Sequence, residues 1–439
     1  MKKILIVTLG CPKNLVDSEI IAQALIDRGY EPTTIKEKAQ VAVVNTCAFI
    51  EPAVTEAIEA ILDIARMKKE GVLEQLVVTG CLVQRYKEEI LREIPEIDYT
   101  VGIDFIKDIP AIIETGEKKN FMGESRDIGF LNMERALCSP HKSAYLKISD
   151  GCSNHCTYCT IPAIRGEYRS RTMEDILSEA LVLAGKGIKE LILVAQDTTY
   201  YGYDLYREFR LEALLRALSG IEGIRWIRLL YCYPENITEG LIREMAGNKK
   251  VLKYLDIPFQ HASADVLRRM GRKSGPKEYG GLIRKLRENI SGLVIRTTFI
   301  TGFPGETEED FNILMDFIRE SSFDHVGVFP YYREEGTPAY RMKDQVPAKV
   351  KEQRKEQILA LQTQLSMEKN IARLGGNYDI IIESVSDDGL FYEGRSYMQA
   401  PEIDGVTYVA SREPLGIGDI VPVKLLNIHE HSFIGEAQI

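Results

Sequence analysis

Cys152-Ser153-Asn154-His155-Cys156-Thr157-Tyr158-Cys159 places three cysteines on one short loop, directly after the apolar run at residues 144–148. Thiolates are the usual ligands of iron–sulfur clusters, and a four-iron cluster takes four of them. Three clustered cysteines would therefore leave one iron open to bind a reactant. A structural zinc site with His155 as the fourth ligand is the alternative, but such sites usually take their ligands as two separated pairs. The spacing favours the cluster.

Further apolar runs follow this loop at regular intervals, and helical stretches separate them. Together with the first, the runs lie at residues 144–148, 190–195, 226–231, 254–257, 294–299 and 325–329. The pattern predicts six βα units whose parallel sheet curls toward a barrel, with too few strands to close it. Chemistry in such folds takes place at the C-terminal ends of the strands, which is where the cysteine loop lies.

The cysteine run, with the aromatic Tyr158 before its last cysteine, resembles the signature of the radical S-adenosylmethionine superfamily. The resemblance implies that the cofactor's methionine amino and carboxylate groups chelate the open iron. One electron from the cluster would then cleave the sulfonium and release a 5′-deoxyadenosyl radical. The resemblance also implies S-adenosylmethionine contacts at Tyr158, Gln196, Gln260, Arg296, Gly302 and Glu306. Polar residues after strands are also typical of turns and helix caps, and Gly302-Phe303-Pro304-Gly305-Glu306-Thr307 suits a strand-to-helix turn capped by Thr307.

A second set of cysteines lies in the N-terminal part of the chain. Apolar runs at residues 4–8, 41–45 and 76–79 alternate with amphipathic stretches near 15–28, 53–69 and 83–93, which predicts a doubly wound βαβ domain over residues 1–115. Cys11, Cys47 and Cys81 each follow one of these runs. Because neighbouring strand ends of such a sheet converge on one crevice, we expect the three thiolates to hold a second cluster. Cys138 and Cys232 have no such partners, and we interpret them as structural.

The remaining segments complete a four-part organisation. Residues 116–143 are polar and glycine-rich and are predicted to be a linker, and residues 144–367 form the radical domain. A charged amphipathic helix is predicted over residues 347–373. Alternating runs punctuated by Asp-Gly and Gly-Asp pairs predict a small β-barrel over residues 368–439. We expect this barrel to be a separable recognition module whose removal would spare cluster assembly.

This order of parts resembles the methylthiotransferase family, in which a three-cysteine domain precedes the radical domain and a TRAM-type barrel follows. The resemblance implies two 4Fe-4S clusters, the second with an open iron that carries the sulfur to be transferred. It also implies two S-adenosylmethionine molecules per turnover, one giving a methyl group and one the radical. An electron donor such as flavodoxin or ferredoxin is expected as a partner.

Composition limits where such a protein works. The chain has 439 residues, eight cysteines and a formal net charge of −10, and it has no apolar stretch long enough for a signal peptide or a membrane span. The cysteine spacing indicates metal ligands and not disulfides, which favours a reducing compartment. We therefore expect a cytoplasmic protein without membrane contact, one that phosphate backbones would repel overall.

Two features distinguish branches of the family. The motif Leu9-Gly10-Cys11-Pro12-Lys13-Asn14 resembles the branch that modifies the β-carbon of an aspartate in ribosomal protein S12, whereas transfer-RNA branches commonly have Gln-Met or Gln-Gln in place of Pro12-Lys13. Residues 368–439 contain five Lys and Arg against twelve Asp and Glu, a balance of −7, which suits a basic protein partner. Nucleic acid would then be met only indirectly, through the ribosome. The alternatives are a transfer-RNA adenosine methylthiotransferase and a non-catalytic ribosome-binding iron–sulfur protein.

Overall fold

The N-terminal part of the computed structural model is built on a parallel sheet. The structure describes residues 2–115, 119–123, 128–138 and 141–439. Within them, the strands of this sheet run in the spatial order Glu31–Pro32, Lys3–Thr8, Val41–Thr46, Gln75–Gly80, Tyr99–Val101 and Lys119–Phe121. Its helices are Pro12–Ile26, Glu51–Lys69, Cys81–Tyr86, Glu88–Glu93 and Ile109–Thr115, with 3-10 turns at Lys36–Lys38 and Ile103–Asp108. Every neighbouring pair of strands is parallel, as the alternating pattern predicts.

The segment predicted to be a linker contributes to this sheet. Lys119–Phe121 pairs with Tyr99–Val101 as its edge strand, and the 3-10 turn Gly129–Asn132 buries Phe130 and Leu131. A strand of three residues is too short to give a periodic pattern, so the sequence did not reveal it. Residues 116–118, 124–127 and 139–140 of the predicted linker lie outside the described residues.

The central sheet contains all the strands predicted for it. Over residues 141–439 its parallel strands run in the order His325–Pro330, Val294–Thr301, Val251–Asp256, Trp226–Leu229, Glu190–Val194 and Ser143–Lys147, and the two end strands do not pair with each other. A separate two-stranded pair joins Ser149–Asp150 to Arg169–Ser170. The fold is therefore the incomplete barrel that six units predict.

Helices cover the outer face of this sheet because their apolar residues recur on one side. In Leu211–Ser219 the buried leucines are Leu211, Leu214, Leu215 and Leu218, which is the spacing of a single helical stripe. The helices of this part are Ile161–Arg165, Met173–Gly185, Tyr203–Tyr206, Leu211–Ser219, Glu239–Gly247, Ala264–Arg269, Pro276–Asn289, Glu308–Ser321 and Ala348–Arg373, with 3-10 turns at Thr198–Tyr200, Pro234–Asn236 and Pro338–Arg341.

The long helix Ala348–Arg373 packs mainly against the central sheet and also touches the C-terminal strand Ile420–His429. It packs against the strands His325–Pro330 and Val294–Thr301, and near its C-terminus Lys369 and Arg373 both pair with the buried Asp324. The boundary expected between residues 367 and 368 therefore lies inside a continuous helix. Charged side chains over this stretch resemble those of a linker, but here they bind a carboxylate of the central part.

The C-terminal part is a closed barrel. Its strands run in the order Asn377–Val385, Tyr392–Arg395, Thr407–Ala410, Ser432–Ala437 and Ile420–His429. Ile380, Ile382, Val409 and Val423 fill the interior, as the alternating pattern predicts. No helix in the described part of the chain is long and apolar enough to cross a membrane.

The barrel inserts one loop, residues 396–404, into the concave face of the central sheet. Arg228 donates to the carbonyl oxygens of Tyr397 at 2.8 Å and Ser396 at 3.3 Å, and Asp404 accepts from the Tyr254 hydroxyl at 2.5 Å and from Arg296 at 2.8 Å. We call this contact the barrel interface. Removing the barrel would leave charged side chains of the central sheet without their partners, and the expectation that its removal spares cluster assembly stays a prediction.

Candidate functional site

Three cysteines of the N-terminal sheet lie at the ends of three adjacent strands. Cys11 follows Lys3–Thr8, Cys47 follows Val41–Thr46, and Cys81 follows Gln75–Gly80. The strand pairing aligns Thr8 with Asn45 and Asn45 with Thr79, so the three cysteines leave the sheet at nearly the same level. The structure therefore brings them to one edge, as predicted, and we call them the N-terminal cysteine set.

Two glycines make the close approach of these loops possible. A Cβ atom on Gly10 would lie 2.5 Å from the Cβ and 2.9 Å from the Sγ of Cys47, and a Cβ on Gly80 would lie 2.5 Å from the Thr46 carbonyl oxygen. Both glycines also have positive φ, of 89° and 95°, which other residues rarely adopt. Gly10 and Gly80 are therefore required for the cysteines to meet.

Buried amides hold the same loops in place. The Asn14 side chain donates to the carbonyl oxygens of Leu9 at 2.9 Å and Thr46 at 3.0 Å, while the Asn45 side chain donates to the Asn14 carbonyl at 2.9 Å. Both side chains are fully buried. These bonds join the loop after the first strand, the end of the strand Val41–Thr46 and the first turn of the helix Pro12–Ile26, so they fix the geometry of the loops that carry Cys11 and Cys47.

The cysteines of the 152–159 loop, which we call the loop cysteine set, lie at the end of the first central strand. Thr157 donates from its backbone to Met270 at 3.0 Å and from its hydroxyl to Arg269 at 2.7 Å, and Asn154 donates to the buried Asp197 at 2.9 Å. These contacts attach the loop to the C-terminus of the helix Ala264–Arg269 and to the segment that follows the strand Glu190–Val194. His155 is exposed, with a φ of 47°.

The two cysteine sets face each other across the contact between the N-terminal and central parts. Thr160, next to Cys159, donates to the carbonyl oxygen of Phe49, two residues beyond Cys47, at 3.3 Å. The short helix Ile161–Arg165 then packs against Cys81–Tyr86 and brings the Arg165 guanidinium beside the Cys81 thiol. We call this contact the cysteine-bearing interface.

Four buried charges hold the cysteine-bearing interface together. Asp17, on the first helix, lies 2.8 Å from the Lys147 ammonium and 3.2 Å from Arg165, and Asp150 lies 3.0 Å and 2.9 Å from the same two cations. All four side chains are at most 1% exposed. The network is electrically balanced, and it joins the N-terminal helix to the loop that carries Cys152.

Lys13 contributes a further buried cation without a carboxylate partner. Its ammonium donates to the Ala195 carbonyl oxygen at 3.3 Å and lies 3.6 Å from the centre of the Tyr231 ring. No ion pair joins Lys13 to an acid among the residues the structure describes. The motif lysine of the first helix thus reaches the strand ends of the central sheet.

The surroundings of the thiols set their acidity. Burial raises the pKa of Cys47 to about 11, with Cys81 adding to the rise, and burial likewise raises the pKa of Cys152 to about 11. Burial opposes ionisation of Cys11 too, but Lys13 and Arg165 outweigh it and lower the pKa of Cys11 below its ordinary value. Metal ions displace thiol protons on binding, and the two cations would offset the resulting negative charge.

Three residues predicted to contact S-adenosylmethionine lie around this interface. The Tyr158 ring packs edge-on against Phe303 of the Gly302–Thr307 turn, with ring centres 6.5 Å apart. Gln196 follows Ala195 directly and is partly exposed. Gln260 bridges to the strand Val294–Thr301 with a φ of 71°, a strained conformation of the kind that clusters at functional sites.

The other three residues have partners within the protein. Arg296 pairs with Asp404 of the barrel, near the start of its strand and away from the cysteines. The Glu306 carboxylate accepts from the backbone of Gly302 at 2.8 Å and pairs with Arg354 at 2.7 Å. A Cβ on Gly302 would meet the Lys351 side chain at 2.3 Å. Their cofactor contacts stay predictions, and this geometry favours structural roles for Arg296 and Glu306.

Sequence reasoning missed Asp17, Lys147, Asp150 and Arg165. Lys147 ends an apolar strand and Arg165 follows the cysteine loop, and a charge inside an apolar run is seldom buried unless it is paired. That signal was available, but it does not identify the partners. Of the two cysteines interpreted as structural, Cys232 is fully buried and Cys138 is exposed.

The cysteine sets suit a cluster better than a single ion. Across residues 2–115, 119–123, 128–138 and 141–439, no three Cys, His, Asp or Glu side chains surround one point closely enough to hold one metal ion. A four-iron cluster has a different requirement, because each thiolate binds its own iron at a corner of the cluster. Three thiols at one sheet edge, flanked by two cations, meet that requirement in donor type and charge.

Family models match each part of the chain. They are the Uncharacterized protein family UPF0004 over residues 3–102, the Radical SAM superfamily over residues 146–318 and the TRAM domain over residues 374–437. Among solved structures, the radical S-adenosylmethionine methyltransferase TsrM from Kitasatospora setae is similar, with a TM-score of 0.58, 16% identity and coverage of 77% of this chain and 74% of that one. This likeness concerns the fold alone.

Sequence relatives match over the whole length. A ribosomal protein uS12 methylthiotransferase RimO from Acetivibrio thermocellus is 52% identical, covering 99% of this chain and 98% of the relative. The protein of the same name from Thermoanaerobacter sp. is 46% identical and is covered completely. The chain therefore belongs to the ribosomal protein uS12 methylthiotransferase family of radical S-adenosylmethionine enzymes.

Proposed function

We propose that this protein inserts a methylthio group at the β-carbon of an aspartate of ribosomal protein S12, using two 4Fe-4S clusters and S-adenosylmethionine. The observation that carries the proposal is that two three-cysteine sets face each other across one interface, joined by the helix Ile161–Arg165. Sulfur transfer to a carbon radical needs the sulfur source and the radical source side by side. A single cluster site would not need this arrangement.

The loop cysteine set would hold the first cluster, and the N-terminal cysteine set the second. When bound, the first cluster supplies the electron that cleaves S-adenosylmethionine reductively, and the second carries the sulfur to be transferred. Tyr158, Gln196 and Gln260 line the strand ends nearest the first set and would border S-adenosylmethionine.

The protein's own groups position and protect this chemistry. Gly10 and Gly80 let the thiols converge, and Asp197 anchors the loop cysteine set through Asn154. Arg165 and Lys13 offset the negative charge of the thiolates. Burial of the surrounding side chains keeps dissolved oxygen and unintended hydrogen donors from the radical.

The substrate assignment rests on the relatives and on charge. Relatives that are 46% to 52% identical over nearly the whole chain carry the ribosomal-protein name. The barrel surface supports a basic partner, since its exposed bases Arg412 and Lys424 are outnumbered by its exposed acids, which are Asp379, Asp387, Asp388, Glu402, Glu413 and Glu430. A flavodoxin or ferredoxin would supply electrons in the cytoplasm, and ribosomal RNA would be met only through the bound ribosome.

Replacing each cysteine set by alanine tests the proposal. The triple variant at Cys152, Cys156 and Cys159 should form no 5′-deoxyadenosine. The variant at Cys11, Cys47 and Cys81 should still cleave S-adenosylmethionine but leave S12 unmodified, as read by peptide mass analysis. Cys138→Ser, at an exposed cysteine, is the matched control and should retain both activities. Loss of S-adenosylmethionine cleavage in both triple variants alike would contradict separate cluster roles.

A transfer-RNA substrate is the competing assignment within the same chemistry. Nucleoside digestion of transfer RNA from a strain lacking this gene should show unchanged 2-methylthioadenosines, while S12 loses its modification. The reverse result would replace the ribosomal substrate by transfer RNA and leave the cluster assignments intact.

A further inference from the structure

Lys13 differs from the other deeply buried cations near the two cysteine sets. Lys147 and Arg165 each contact two carboxylates, and Arg135 contacts Glu19 and Glu179. Lys13 is equally buried, at 4% exposure, yet within the described residues it has a carbonyl oxygen and an aromatic ring as its partners. An ammonium carries three donors, and the Ala195 carbonyl takes one of them.

Ionised Cys11 would balance the charge of Lys13, but no hydrogen bond joins the two side chains among the described residues, so two donors of the ammonium stay without an acceptor. The Asp256 carboxylate also senses the charge of Lys13, but it accepts from the Tyr231 backbone at 3.1 Å and lies 3.9 Å from Arg296, and no ion pair joins it to Lys13 within the described residues. Asp256 is therefore engaged elsewhere. The free donors of Lys13 remain available for an anion entering from outside the protein.

The position of Lys13 indicates which anion that is. Lys13 lies two residues from Cys11, and its ammonium rests at the end of the strand Glu190–Val194, so it lies at the contact of the two cysteine sets. Tyr231 presents its ring to Lys13 from a strained backbone, with a φ of 60°. Strain of this kind persists where the surroundings impose it, as at ligand sites.

We propose that Lys13 binds the side-chain carboxylate of the substrate aspartate. This inference rests on the function proposed above. The aspartate β-carbon is one bond from its carboxylate carbon, so an ammonium that fixes the carboxylate also fixes the carbon that loses hydrogen and receives sulfur. Lys13 is thus a substrate-binding residue that selects aspartate over its uncharged analogue asparagine.

The test measures this selection directly. Reconstituted holoenzyme, without reductant, is titrated with S12 and with S12 carrying asparagine in place of the modified aspartate. Wild type should bind the aspartate form about tenfold to a hundredfold more tightly, the range for a hydrogen bond to a charged group. Lys13→Met should bind both forms alike, and Lys13→Arg should restore part of the preference. The matched control is Lys250→Met, because Lys250 also donates to a single carbonyl oxygen, that of Ile221, but lies away from the interface.

Three outcomes would overturn the inference. The first is that wild type binds the two S12 forms alike, a result that does not depend on the folding of any variant. Alternatively, Lys13→Met could keep the wild-type preference at unchanged iron content. Lys13 would instead hold the cofactor carboxylate if Lys13→Met raised the S-adenosylmethionine concentration needed for cleavage equally with both forms. Failure of the proposed function itself looks different, because wild type would then leave S12 unmodified.

Discussion

Two interfaces join the central sheet to its neighbours, and each contains a network of two acids and two bases, all buried except Glu383, which is partly exposed. At the cysteine-bearing interface these are Asp17, Asp150, Lys147 and Arg165, and at the barrel interface they are Glu190, Glu383, Arg228 and Arg395. Both sets are balanced in charge and span two parts of the chain. The same device docks a domain at either end of the sheet.

The two interfaces differ in the groups that lie outside these charge networks. The cysteine-bearing interface adds two sets of thiols and the unpaired Lys13, whereas the additional arginine of the barrel interface, Arg296, is neutralised by Asp404. A charge-balanced network therefore indicates where two parts of the chain pack together. The thiols and the unpaired cation beside such a network indicate the reactive site. Buried ion pairs alone would not have distinguished the two ends of the sheet.

The largest expected effect comes from replacing one arginine in each network and comparing the stability and iron content of the two variants. Arg165→Leu and Arg228→Leu each leave their network with one uncompensated negative charge, and each should lower the free energy of unfolding by about 3 to 5 kcal/mol in a denaturant titration. After anaerobic reconstitution, Arg165→Leu should lose about half of its iron because Arg165 contacts Cys81, whereas Arg228→Leu should keep its iron. Equal loss of iron in both variants would remove the distinction between the interfaces.

A pH titration sharpens the account of the barrel interface. Burial works against ionisation of Glu190, but Arg395 and Arg228 prevail and hold its pKa at about 2, below its ordinary 4.5. The stabilisation is therefore complete above pH 4.5 and is lost as the pH falls toward 2, a change of about 3 kcal/mol. The difference in unfolding free energy between wild type and Glu190→Gln should shrink by that amount over this window. Glu413→Gln, at an exposed position, should show no such change.

Glycine variants probe the close approach of the N-terminal cysteine set. Gly10→Ala should lower stability by about 2 to 4 kcal/mol, because the left-handed backbone is strained and the new methyl group overlaps Cys47. Gly29 has a similar φ of 83° with nothing within 4 Å, so Gly29→Ala should lose only about 1 to 2 kcal/mol and should bind iron normally. Identical iron content in the two variants would mean that the contact with Cys47 does not control cluster assembly.

The smallest effect concerns the barrel surface. Replacing Asp387 and Asp388 by asparagine should weaken S12 binding by about twofold to fivefold at low salt, since exposed charges contribute less than 1 kcal/mol each. The difference from wild type should vanish at high salt, where such charges are screened. A salt-independent difference would instead indicate direct contact by these two side chains.

The parts of the molecule that the sequence predicts well are those with a local signal. The strands of the central sheet and the convergence of Cys11, Cys47 and Cys81 follow from runs of apolar residues and from the rule that parallel strands end at one edge. The strand Lys119–Phe121 was not predicted, because three residues are too few to show an alternating hydrophobic pattern. The partners of Arg296 and Glu306 could not be predicted, since Asp404 and Arg354 are distant in sequence and nothing local indicates them.

The barrel loop at residues 396–404 also constrains the order in which the protein can be made. Arg228 is separated from its carbonyl partner Tyr397 by 169 residues, and Arg296 from Asp404 by 108. The last strand of the central sheet ends at Pro330, about 70 residues before Asp404. At a synthesis rate of roughly 5 to 20 residues per second, the completed sheet therefore waits on the order of four to fifteen seconds for the segment that covers its concave face. Contacts this distant in sequence also slow refolding, because the chain between them loses conformational entropy before the contacts form and stabilise the fold. The nascent chain therefore passes through a stage in which the central sheet is complete but the barrel loop does not yet cover its concave face. Chaperone binding or misassembly would occur at that stage.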